Sequence, residues 1–241
     1  MNYEYSASSA QPRLLILLTD ELEESVKVVN DIIEHIIKGN FYGSYCKNRF
    51  FIIVIGYNIE AQVILSGYLR EIDERPLDIK SVKVNVSDRT GGVVPVERKI
   101  PIWVEQQNCN PKMENYPKAI LMAKSLIQKW LADNRILAPI VIDCSNEAHV
   151  EYAIAEIEQL TNIVSRDGQT LFFGTYSIEN KEIYNVFSEM PDAWKYRFDN
   201  WNVNEEDYHS GMLNRMNINQ IISVITFVGG EAAIFGFNEE Q

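Results

Sequence analysis

Apolar and polar positions alternate along this chain on two periods, one of strands and one of helices. Residues 14–18 (LLILL) form an apolar run that stops at Thr19-Asp20. Beyond it Val28, Val29, Ile32, Ile33, Ile36 and Ile37 mark the stripe of an amphipathic helix, closed by Gly39. Residues 50–55 (FFIIVI), closed by Gly56, are apolar without interruption and predict a strand buried on both faces. A shorter apolar piece at 63–65, stopped by Ser66-Gly67, predicts an edge strand. Residues 82–86 alternate apolar and polar, and 93–96 read as a second short strand. The turn residues Asp88-Arg89-Thr90-Gly91-Gly92 lie between them, so a β-hairpin is expected within an insertion at about 75–115. Helical spacing resumes at Ala119, Ile120, Ala123, Leu126, Ile127, Trp130 and Leu131. A strand follows at 137–144, then a third helix on Val150, Ile154, Ile157, Thr161 and Val164, then a strand at 170–174 after the Asp167-Gly168 turn. From about 180 the pattern is irregular, with a short helix expected at 183–190, an aromatic and acidic stretch at 194–209, and a helix or strand at 218–228.

Strand, helix, strand, helix, strand predicts an α/β fold: a doubly wound, mostly parallel central sheet with helices on both faces and a β-hairpin insertion. A polar leader at 1–12 would precede one domain at 13–241. In such a sheet Thr19-Asp20 lies at the carboxyl end of a strand, where ligands bind. Asp20 followed by Glu23 has the form of an N-cap and capping-box pair, and Glu21, Glu23 and Glu24 suit the positive end of the helix. The other reading of these acids is a face that recognises a partner.

Composition narrows the classes. Hydrophobic residues at 46% and charged ones at 23% describe an ordinary globular chain. A net charge of −12 opposes binding to nucleic acid or to an anionic membrane. The longest apolar run, at 221–228, is too short to span a bilayer, and the first residues lack the form of a secretory signal. Cys46, Cys109 and Cys144 are odd in number and show no C-x-x-C spacing, which fits a reducing, cytoplasmic compartment without a zinc site. Cys144, in a strand-like context, is expected to be a small buried hydrophobe. No dinucleotide fingerprint, P-loop or nucleophile elbow is present. His35, His149 and His209 are scattered, and His35 shares a polar helix surface with Asp31, Glu34 and Lys38. No cofactor is expected.

The segments RLLILLTD, FFIIVIGYN, PIWVEQQ, PKAILMAKSLIQKWL, APIVID and DGQTLFFGTYSI, in that order over 13–178, resemble von Willebrand factor A-type domains, in particular the bacterial intracellular branch akin to tellurite-resistance-associated proteins. The resemblance implies a divalent-metal site made by a D-x-S-x-S motif after the first strand, a threonine before the next long helix and an aspartate after the fourth strand. This chain departs from it at each point. Asp20-Glu21-Leu22-Glu23-Glu24 stands where D-x-S-x-S belongs, and starting the motif at Thr19 puts Glu21 and Glu23 at the serines. Glu114 or Asn115 falls at the threonine, and Asn146 at the aspartate. An orthodox metal site is therefore not expected, because the hydroxyl and carboxylate ligands Mg²⁺ needs are gone. A rearranged cation site at Asp20, Asp143 and Glu24 stays open.

Two functions follow. The first is a non-catalytic protein-interaction or adaptor module, a relic of a metal-site domain, which the resemblance associates with bacterial stress-response or conflict systems. Its contact residues would be Asp20, Glu21, Glu24, Asn115, Asn146, Glu147 and, in the aromatic tail, Trp201. The partner would be another protein. The alternative is a metal-assisted hydrolase using the strand-end carboxylates Asp20 and Asp143.

Overall fold

The apolar run that opens the chain becomes its central strand. The computed structural model describes residues 7–87, 92–108, 110–145 and 150–174. Strand β1 (Arg13–Thr19) leads into helix α1 (Glu23–Gly39), then a small hairpin of β2 (Phe41–Tyr42) and β3 (Tyr45–Cys46). Strands β4 (Phe50–Gly56) and β5 (Gln62–Tyr68) and a short helix α2 (Leu69–Asp73) follow. The ribbon of β6 (Asp78–Ser87) and β7 (Val93–Ile102) precedes α3 (Asn115–Ala132) and β8 (Ile140–Asp143). A 3-10 turn (Val150–Ala153), α4 (Ile154–Thr161) and β9 (Leu171–Gly174) complete the described chain.

The main sheet has the order β5-β4-β1-β8-β9. β1 runs parallel to β4, with Arg13 opposite Phe50 and Thr19 opposite Gly56, and parallel to β8, with Leu18 opposite Asp143. β8 and β9 are also parallel, but β5 is antiparallel to β4, with a register shift between Val54 and Ile55. Two further antiparallel sheets, β2-β3 and β6-β7, stand apart from it. The expected doubly wound, mostly parallel fold is thus corrected to a mixed five-stranded sheet with two small antiparallel ones. The cause is local. Only five residues separate β4 from β5, enough to turn the chain back but too few for the crossover helix that a parallel neighbour requires.

Alternation along β1 supplies two cores. Leu15 and Leu17 pack with Val29, Ile33 and Ile36 of α1 and with Leu69 and Ile72 of α2. Leu14, Ile16 and Leu18 pack with Tyr116, Ile120, Ala123 and Ile127 of α3 and Ile157 of α4. Uninterrupted apolar sequence is what a strand covered on both faces needs.

Several boundaries moved. β5 continues through Ser66 and Gly67 because ladder bonds to β4 carry it. β8 starts only at Ile140, after Pro139, which has no N–H for a ladder. The third helix ends at Thr161, and Val164, 53% exposed, forms an isolated bridge with Gln169 instead. Cys46 and Cys144 are free and buried, as expected for Cys144. Among the described residues no helix is long and apolar enough to cross a membrane. The elements expected at 183–190 and 218–228 and the aromatic stretch at 194–209 lie outside the described residues.

Candidate functional site

The carboxyl ends of β1, β4 and β8 converge with the amino end of α3. After β1 the chain makes two side-chain-closed turns in succession. Thr19 Oγ1 accepts from Glu21 N at 3.0 Å, and Asp20 Oδ1 accepts from Leu22 N at 3.0 Å. The backbone is thereby driven left-handed at Glu21 (φ 61°). The helix N-cap is Leu22, without a side-chain cap bond. The expected capping box on Asp20 and Glu23 is accordingly replaced. Asp20 sits three residues ahead of the first helical residue and its carboxylate closes the turn, while Glu23 and Glu24 occupy the exposed first turn of α1, beside the positive helix end.

Glu21 points into the protein rather than out. It is only 2% exposed; its Oε1 accepts from Asn58 N at 3.2 Å and its carbonyl accepts from Gln107 N at 2.8 Å. Gly56 makes room for it, since a Cβ there would lie 2.5 Å from Glu21 Cδ. Burial raises the Glu21 carboxyl pKa and the nearby Asp20 charge adds to this, while hydrogen bonds from the Asn58 backbone and the Gln107 side chain oppose it. In the unfolded chain this carboxyl ionises at its ordinary, lower pKa. Stability is therefore undiminished by Glu21 below that value and falls as pH rises through the raised folded pKa. Glu21→Gln keeps an acceptor for Asn58 and removes the charge. It is expected to melt higher than the parent at neutral pH, with the gain shrinking to nothing below the ordinary glutamate range. Thermal melts across pH check this, and a gain independent of pH would contradict it.

Asn58 ties the strand ends together. Its Nδ2 donates to Asp20 O at 2.9 Å, and its own carbonyl accepts from Lys112 N at 3.1 Å. Asn115, at the start of α3, donates from Nδ2 to Ile59 O at 2.7 Å and accepts at Oδ1 from Lys118 Nζ at 3.0 Å. Next to it, Tyr116 OH donates to Asp143 Oδ2 at 2.9 Å. Ser145 donates to Asp143 Oδ1 twice, from Oγ at 2.7 Å and from N at 3.0 Å. The Tyr57 ring meets Tyr116 edge-on at 5.3 Å. Burial, followed by the charge of Asp143, drives the Tyr57 phenol pKa well above its usual range. The Cys144 thiol is pushed up by burial and then by Asp143 and Asp20, so it is held away from the reactive thiolate.

The geometry thus joins Asp20, Glu21 and Asn115 through Asn58, and brings Asp143 beside them through Tyr116. All four are buried, as are Thr19, Asn58 and Ser145. Glu24 stands apart, exposed on α1. Asn146, Glu147 and Trp201 lie outside the described residues. Tyr57, Asn58, Gln107, Tyr116 and Ser145 were not anticipated. Asn58 carried a signal, because it follows an apolar strand run just as Asp20 does. Asp20 Oδ2 is buried with no hydrogen-bond partner among the described residues. Among those residues no group of three or more His, Cys, Asp or Glu is placed to hold a metal ion. The exposed groups at this end include Glu23, Glu24, Ile59, Glu60, Glu105 and Glu114 together with Lys112 and Lys118, a mainly acidic rim over a buried polar floor. No protein-family model matches the chain, and no curated protein matches it.

Proposed function

We propose that the chain is a non-catalytic protein-interaction or adaptor module whose partner docks on the acidic rim at the carboxyl end of the main sheet. The observation that carries this reading is that the hydroxyls and carboxylates a catalyst would use are buried and engaged in holding loops. Both oxygens of Asp143 accept hydrogen bonds, and Tyr116 and Ser145 donate theirs to it. Charge at the surface comes instead from Glu23, Glu24, Glu60, Glu105 and Glu114, with Lys112 and Lys118 among them, and Asp20, Glu21 and Asn115 shape the rim from beneath. The likeness to A-type domains belongs to the same proposal, as does a role in a bacterial stress-response or conflict system. Free buried cysteines support a reducing compartment such as the cytoplasm.

The metal-assisted hydrolase on Asp20 and Asp143 has one observation in its favour, the unbonded Oδ2 of Asp20. Melting with Mg²⁺, Mn²⁺ or EDTA separates the two readings. The metal-free interaction module is expected to show the same Tm in all three, whereas a metal-dependent rise lost in Asp20→Ala would show a cation site at Asp20 and overturn that reading. Affinity capture from the native host with Glu24→Arg as the control tests the rim itself. The variant is expected to lose the protein that the parent retains, and equal retention would remove the rim from the proposal.

A further inference from the structure

The main sheet ends on β9 at one side and on β5 at the other. β9 is buried at Leu171, Phe172 and Phe173, whereas β5 is open, with Gln62, Val63 and Ser66 exposed. Tyr68 N is taken by Glu71 Oε2 at 3.0 Å. By the alternation of an antiparallel ladder, Ser66 then also turns its N–H and C=O away from β4. β5 packs on β4 along its length and on α2 at its end, and among the described residues no strand takes up its outer ladder. Such an edge is ordinarily guarded by lysine, proline, a bulge or a covering element. β5 has a bulge, at the register shift opposite Val54 and Ile55, but residues 62–68 (QVILSGY) hold neither charge nor proline.

A second copy of the same strand fits this edge. At a net charge of −12 two chains repel each other, and a contact between copies is least opposed where neither brings charge. Laid antiparallel about a two-fold axis at Leu65, two β5 strands set Gln62 opposite Tyr68 and Val63 opposite Gly67. Two residues further out, the same axis sets Glu60 of one copy toward Arg70 of the other, at both ends of the contact, and both side chains are exposed. Among the described residues Arg70 engages only its Nε, with Glu74 at 2.9 Å in an exposed pair, which leaves the Nη side of its fork for a second carboxylate. The neighbouring Glu71 is turned back onto Tyr68 N.

We propose that two copies of this chain pair through their β5 edges, antiparallel and about a two-fold axis, joining two five-stranded sheets into one. The contact is isologous, so it closes at the dimer. Main-chain hydrogen bonds supply its strength, as in any strand added to an open edge, and the Glu60–Arg70 pairs fix its register. It goes beyond the reading of the acidic rim and does not rest on it.

Sedimentation velocity over a concentration series up to about 1 mM tests it. The parent chain is expected to pass from monomer to dimer at about 10–100 μM, as so small a contact allows, with no larger species. Ser66→Pro removes an outward N–H and no bond to β4, while Val63→Lys/Ser66→Lys charges the edge and removes no N–H at all. Each is expected to dimerise more than ~10-fold more weakly than the parent. Charge exchange tests the register. Glu60→Arg and Arg70→Glu each set like charges together at both ends and are expected to weaken the dimer roughly 5-fold. The combination Glu60→Arg/Arg70→Glu restores opposite charges and is expected to recover the parental association. Circular dichroism melts verify that every variant folds. A parent that stays monomeric, species that grow past the dimer, edge variants that both dimerise like the parent, or a double exchange no better than the single ones would each overturn the inference. A monomeric parent whose host capture is lost in Ser66→Pro would give the edge to a strand of another protein and overturn the second copy. Glu24→Arg is expected to leave the dimer intact, so the rim and the β5 edge fail or stand separately.

Discussion

Asp167→Leu is expected to destabilise the protein by about 3–5 kcal/mol, because it strands a buried guanidinium. Arg13 and Asp167 have fully buried side chains, with Arg13 Nη2 3.2 Å from Asp167 Oδ2. Arg13 Nη1 donates to Ala138 O at 2.6 Å, and Ala138 N donates to Asp167 Oδ2 at 3.3 Å. One ion pair therefore fastens the start of β1, the approach to β8 and the turn before β9. That turn is rigid in its own right, since Ser165 Oγ accepts from both Asp167 N and Gly168 N. Arg13→Met should cost a similar amount by leaving the carboxylate unpaired. The double substitution Arg13→Met/Asp167→Leu removes both charges, and its cost is expected to fall well short of the sum of the two single ones. Urea unfolding of the four proteins measures the cycle, and simple additivity would show that the pair does not act as a unit.

The contrast between what this pair does and how it reads in sequence explains where legibility ends. Asp167-Gly168 is legible as a turn, and Arg13 as the residue before a strand, but no local pattern says that they meet across more than 150 residues of chain. Period and composition locate β1, α1, β4, α3 and β9 because each is long or apolar enough to carry its own signal. The two-residue strands β2 and β3 and the five-residue helix α2 are shorter than any period that could reveal them. The direction of β5 was not legible either, because it depends on the length of a loop rather than on the strand. At the site, Asp20, Glu21, Asn115 and Asp143 were found by position at strand and helix ends. Their burial was not, because carboxylates and amides ordinarily lie at the surface. What holds these inside is the pair of closing turns at Thr19 and Asp20, the bonds of Tyr116 and Ser145 to Asp143, and that of Asn115 to Ile59 O. A polar residue inside an amphipathic stripe is the hardest case, since it reads as part of the exposed face.

Asn30 is that case, and its replacement is the second large effect expected. It lies on α1, 6% exposed, among Val26, Val29 and Ile33. Its Nδ2 donates to Val26 O at 3.0 Å and to Val104 O at 2.9 Å, and its Oδ1 accepts from Trp103 N at 2.8 Å and Val104 N at 3.1 Å. One amide thus joins the helix to the chain leaving the ribbon, where Trp103 and Val104 are themselves buried. Each such bond contributes about 1 kcal/mol net, and a buried N–H left without a partner costs about 1–3 kcal/mol. Asn30→Ala is accordingly expected to lose about 3 kcal/mol of stability. Asn30→Asp is no remedy, since a carboxylate can receive the two N–H groups but has nothing to offer the carbonyls of Val26 and Val104. The loss should also be local. In Asn30→Ala the amides of Trp103 and Val104 are expected to exchange with solvent far faster than in the parent, while those of β1 and β4 change only with global stability. Uniform acceleration would mean that Asn30 merely supports the core. Selective exchange at 103 and 104 would identify it as the joint that holds the chain leaving the ribbon to α1.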